Sequence, residues 1–142
     1  MKASTGLRNK MLDTGSVKSI LALGFIKIYG GAVPADADAA VTGTLITTVS
    51  VNSTGTGLSM GTAVAGVLPK ASEVWSGVNA ASLTATYFRH VAVGDDGTLS
   101  TTQDRIQGTV GTAGADLNLS STALTNGATQ TIDFYNVALP TL

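Results

Sequence analysis

Residues 108–119 read GTVGTAGADLNL, with glycine at 108, 111 and 114. Two structures suit glycines at this spacing: a loop that cradles a phosphate, or a turn that joins two strands. The phosphate loop needs a strand before it, a helix after it whose N-terminus holds the anion, and usually a lysine. After Gly114 the chain continues ADLNLSS, with Leu117 and Leu119 on one side and Asp116, Asn118 and Ser120 on the other. That is the period of a strand, not of a helix. No lysine occurs after Lys70. The glycines therefore read as turn formers, where positive φ carries no steric penalty.

The same alternation recurs outward in both directions. FIKIYGG (25–31) and TGTLITTVSV (42–51) read as strands, and LTATYFRHVAVG (83–94) as a strongly extended one closed by the turn Gly94-Asp95-Asp96-Gly97. TQDRIQGTVG (102–111), ADLNLSS (115–121) and ATQTIDFYNVAL (128–139) complete the series, with weaker pieces at 58–60 and 63–67. Only the first twenty-odd residues show helical spacing. Leu7 and Met11 are four apart, and Val17 stands three and four before Ile20 and Leu21. Gly15 splits this segment, with Ser4 or Thr5 capping the first helix and Ser16 the second. AVPADADAAVTG (32–43) offers Pro34 and Asp36 for at most a turn or two of helix. The expected fold is all-β, a jelly-roll or β-sandwich body over residues 24–142 with a short helical N-terminal arm over residues 1–23.

Composition agrees. A chain of 142 residues is expected to form one domain and to bury about two-thirds of its extended surface. Charged residues make up 12%, against about 25% in ordinary soluble domains. The surface must then be built from the 21 Thr, 12 Ser and 17 Gly, a composition that favours sheet and turn. The few charges are segregated. Residues 1–27 carry +4 and the remainder −5. Basic tails that bind nucleic acid are denser and interleaved with aromatics, so these cations suit a solvated helix face or an acidic protein partner better. No apolar run approaches the ~20 residues of a membrane span. SILALGFI followed by GGAVPADA mimics an export signal, but Lys27 and Asp13 are misplaced for one, and the segment reads as a strand.

Chemistry is sparsely provided. With no cysteine there is no thiolate ligand or nucleophile. His90, the only histidine, lies mid-strand in opposite phase to Tyr87, and no G-x-S-x-G elbow accompanies it. Asp36/Asp38 and Asp95/Asp96 lack the spaced oxygens of a calcium loop and read as turn and helix-start residues. Tyr87-Phe88 and Phe134-Tyr135 could form a sugar platform, although adjacent strand residues face opposite ways, which places one of each pair in the core. No catalytic, cofactor-binding or metal-binding residue is assigned, and no enzyme activity is expected.

The opening STGLRNKMLDTGSVKSILALGFIKIYGGAVPADADAAVTGTLITTVSV, the central EVWSGVNAASLTATYFRHV and the closing RIQGTVGTAGADLNLSSTALTNGATQTIDFYNVALP resemble small virion proteins of tailed bacteriophages, and among them capsid cement or decoration proteins. The resemblance implies a jelly-roll or sandwich subunit on the capsid exterior, a homo-oligomer (dimer or trimer) whose partner is the major capsid protein. It implies no cofactor, no nucleic acid and no membrane. In that setting residues 1–23 would either reach a neighbour, with Leu7, Met11 and Leu12 giving apolar contact and Arg8 and Lys10 meeting acids, or pack as a helix on the chain's own sandwich. A phage fibre part or carbohydrate-binding module using Trp75 and the tyrosines, and a hydrolase built on His90, remain the rival readings.

Overall fold

The computed structural model describes residues 1–139. Strands dominate, in chain order β1 (Lys2–Ala3), β2 (Phe25–Gly30), β3 (Thr44–Val51), β4 (Val67–Pro69), β5 (Trp75–Val78), β6 (Leu83–Val91), β7 (Arg105–Gly111), β8 (Leu117–Asn118), β9 (Ala123–Leu124), β10 (Thr129–Ile132) and β11 (Asn136–Ala138). The main sheet runs β1-β7-β6-β2-β3-β5-β10, and every neighbouring pair along this path is antiparallel. β9 adds to one end of β6, and β8 pairs with β7 in parallel. β4 and β11 form a separate two-stranded ribbon. The result is a β-rich, sandwich-like body, as the alternation predicts.

The two helices form where their caps stand. α1 (Thr5–Asp13) starts at Ser4, whose hydroxyl accepts from the Leu7 amide, and α2 (Val17–Ile20) starts at Ser16 with a capping box closed by Ser19. They are fastened to the sheet rather than held away from it. The Ser4 amide donates to the Arg105 carbonyl at 2.9 Å, and Leu7, Val17 and Leu21 belong to the central apolar cluster. The outward contact expected of Leu7 is thus spent inside the chain, because an apolar side chain in the first turn facing the sheet is most stable buried. Lys10 likewise pairs with the chain's own Asp104 at 2.6 Å, whereas Leu12 is 85% exposed.

Two segments differ from their sequence reading. Residues 128–139 form two strands in different sheets, since the chain breaks at 133–135, turning Tyr135 inward and leaving Phe134 72% exposed. Residues 32–43 contain no helix. Their carbonyls are claimed by side chains of the sheet beneath, which removes the acceptors a helix needs.

The main sheet therefore has two buried faces of opposite character. Ile26, Ile28, Phe88, His90, Ile106 and Val110 point to the apolar side, against Trp75, Tyr135 and the β4–β11 ribbon. Lys27, Tyr29, Tyr87, Arg89, Arg105 and Gln107 point to the other side, beneath the 32–43 loop.

Candidate functional site

On the polar face, strand register lines up Lys27, Arg89, Gln107 and Lys2 across β2, β6, β7 and β1. Arg89 and Arg105 are wholly buried. A buried guanidinium is costly unless its donors are engaged, and here the loop supplies acceptors for part of each group, while Arg89 Nη1 and Arg105 Nη2 have no partner among the described residues. Gln107 Nε2 donates to the Pro34 carbonyl at 2.8 Å, Lys2 Nζ to Ala35 at 2.6 Å, and Arg89 Nη2 to Asp36 at 3.3 Å and Ala39 at 2.8 Å. Arg105 Nη1 donates to Ala37 at 3.3 Å and Asp38 at 3.5 Å. Six consecutive carbonyls, 34 to 39, are thereby held by four side chains. Arg105 Nε also forms a buried ion pair with Asp95, whose backbone carbonyl accepts from Lys27 Nζ at 2.9 Å. Burial and the neighbouring Arg105 charge press Arg89 below its ordinary pKa. Burial, with Tyr87 stacked on it at 4.9 Å, pushes the Tyr29 hydroxyl up to about 12.

The aspartates do turn work, as expected, and one does more. Asp36 Oδ1 accepts from the amides of Asp38 and Ala39, Asp96 Oδ1 from the Thr98 amide and hydroxyl, and Asp95 Oδ1 from Gly97. Asp38 accepts from the Thr5 amide at 2.8 Å and hydroxyl at 2.6 Å. Burial acts to raise its pKa, but these Thr5 bonds outweigh it and leave the group below the usual carboxylate range. The Asp95–Arg105 pair was invisible in sequence, because Gly94-Asp95-Asp96-Gly97 carries an ordinary turn signature and the arginine's phase alone does not name a partner.

On the apolar face, His90 is wholly buried. Its Nδ1 lies 3.3 Å from the Tyr135 hydroxyl, its ring centroid 5.5 Å from that ring, and its Nε2 has no partner among the described residues. Burial depresses its pKa to about 4. No aspartate, glutamate or serine is bonded to it. Trp75, Tyr87, Phe88 and Tyr135 are buried too, leaving Phe134 as the one member of the expected sugar platform that faces solvent. The glycine-rich stretch ends β7, turns at Gly114 with φ +69°, and leads into β8 rather than a helix, with Leu117 and Leu119 buried. Among the described residues no three His, Asp or Glu side chains gather as a metal-ligand set, and no helix is long and apolar enough to cross a membrane.

An open concavity lies elsewhere, between the helix pair and the β4–β11 ribbon. Met11 and Val17 form one wall of a groove of about 380 Å³, and Leu68, Val137 and Leu139 the other. A second hollow of about 300 Å³ shares Met11, Val17, Val137 and Leu139 and continues past Leu7 and Arg8. The groove is apolar apart from Ser16 and Lys18, the second hollow apart from Lys2 and Arg8, and no Asp or Glu contributes to either. Sequence patterning marked Met11 and Val17 as apolar positions, but nothing local announced that the ribbon stands off from them.

Comparison of the chain with protein-family models, curated proteins and solved structures gives no match.

Proposed function

We propose that this chain is a structural virion protein, a cement or decoration protein that binds the outside of a bacteriophage capsid as a homo-oligomer and ties major capsid subunits together. In this reading the β-rich body is a jelly-roll or sandwich subunit, and the chain carries out no reaction. The observation that supports it best is the character of the outer surface. Charged residues are few, yet large apolar side chains stand out in solvent, among them Leu12, Val64, Leu99, Phe134 and Leu139. Such a surface loses little hydration when neighbours cover it, and it suits a protein that works inside an assembly. The buried setting of His90 and Trp75 gives the rival hydrolase and sugar-binding readings little to work with.

The test is sedimentation of the purified chain with empty shells assembled from the major capsid protein of the same virus. The expected result is saturable retention and a raised temperature of shell disruption. No retention, with selective binding on a glycan array instead, would replace this reading with the fibre or adhesion-module one.

A further inference from the structure

We infer that the groove between the helix pair and the β4–β11 ribbon is the surface on which a shell subunit docks, through an apolar segment flanked by carboxylates. The inference rests on the proposed capsid role for the source of the occupant, and on the groove itself for its chemistry.

The groove is lined as an interior would be, yet it stands open. Leu7 on α1 is wholly buried, whereas Met11, one turn on, is only partly covered. On the opposite wall Leu139 is 60% exposed, and Val64, next in the chain to the lining residue Ala63, is 70% exposed. Apolar surface left in water is a standing cost that a partner can remove. Charge then restricts the partner. Of the five cations in residues 1–27, three are engaged within the chain: Lys2 with the Ala35 carbonyl, Lys10 with Asp104 and Lys27 with the Asp95 carbonyl. Of the two others, Lys18 lines the groove and Arg8 the second hollow that continues it. Arg8 bonds only to the Thr5 hydroxyl among the described residues, and Lys18 has no side-chain bond there. Two exposed cations beside an apolar trough with no acid in its lining call for carboxylates from outside. An amphipathic acidic stretch of protein supplies both apolar groups and carboxylates in one segment.

Two variants test this, substituted only at exposed positions. Ala63→Trp fills the trough, and the pair Arg8→Glu/Lys18→Glu reverses its rim. Unchanged thermal midpoints establish that both variants fold. The amphipathic anion 8-anilinonaphthalene-1-sulfonate is expected to gain fluorescence with the parent chain and to lose most of that gain with Ala63→Trp. Retention on capsid shells is expected to weaken at least tenfold in either variant, and raised salt should weaken the parent only in part, since apolar contact is not screened. If the parent is retained and both variants are retained equally, the groove is not the docking surface although the capsid role stands. If the parent is not retained at all, both readings fall. If Ala63→Trp converts an oligomer to a monomer in sedimentation velocity, the occupant is a second copy of this chain and the inference is overturned.

Discussion

His90 is a weak base held where it cannot be charged. In the unfolded chain it titrates near 6.5, and in the folded chain burial depresses it to about 4. Between those values the unfolded state binds a proton that the folded state refuses, so stability falls as the pH is lowered through this window. A difference of this size corresponds to about 3 kcal/mol lost between pH 7 and pH 4. The carboxylates with depressed pKa values, Asp38, Asp96 and Asp116, titrate below the ordinary carboxylate range. Thermal midpoints measured from pH 7 to pH 4 should therefore drop steadily in the parent chain and much less in His90→Phe. A parallel course in both would show that His90 charges in the folded state. Arg105 and Asp95 pose the opposite case, two charges that hold each other in the interior. Arg105→Met leaves a buried carboxylate unpaired and is expected to cost about 3–5 kcal/mol. Adding Asp95→Asn, which keeps an acceptor for the Gly97 amide, should return part of that loss, and urea unfolding of the full cycle measures the coupling. Strict additivity would mean that the pair is not coupled.

At the scale of elements, what could be read from sequence was what is local. Strand alternation around Phe88 and Leu117, the split at Gly15 and the caps at Ser4 and Ser16 each depend on residues a few positions apart. The 32–43 loop escapes a sequence reading because its partners Arg89, Arg105 and Gln107 lie some fifty to seventy-three positions away. The same separation hid the break at Phe134. The glycine run illustrates both kinds of information. Gly114 has φ +69° and open space around its Cα, so Gly114→Ala should cost about 1 kcal/mol in backbone strain. Gly108 has no such φ, but a methyl group there would lie 2.6 Å from the Phe88 ring and 2.8 Å from Asp116 Cβ. Gly108→Ala should thus be the worse of the two, up to about 3 kcal/mol, with unfolding midpoints deciding the order. The loop over the polar face makes a separate prediction. A protease must pull its substrate into an extended strand, and here the carbonyls of 34–39 are already held. An elastase, which cuts after small residues, should leave the native AVPADADAAV stretch intact and cut it at least tenfold faster in Arg89→Met. Equal rates would show that the loop opens regardless of its side-chain clasps.

For the molecule as a whole, composition conveyed a β-rich body with a charge-poor exterior, and it conveyed the basic character of one end. It could not convey which of those cations the fold would consume. That depends on Asp104, Asp95 and the Ala35 carbonyl arriving beside Lys10, Lys27 and Lys2, and the groove's rim is what remains. The pairing of β1 with β7 has a further consequence in time. Lys2 meets Gln107, and the Ser4 amide meets the Arg105 carbonyl, so β1 finds its place only after more than a hundred later residues have been made. At about 5–20 residues per second that interval is roughly 5–20 s. Throughout it α1 lacks β7, the strand against which it packs. Nascent chains stalled with residue 100 just outside the exit tunnel should be digested readily by protease, and chains stalled beyond residue 139 should resist. Resistance at the earlier point would mean that the N-terminal segment first docks on strands β2, β3 and β6 and is handed to β7 afterwards.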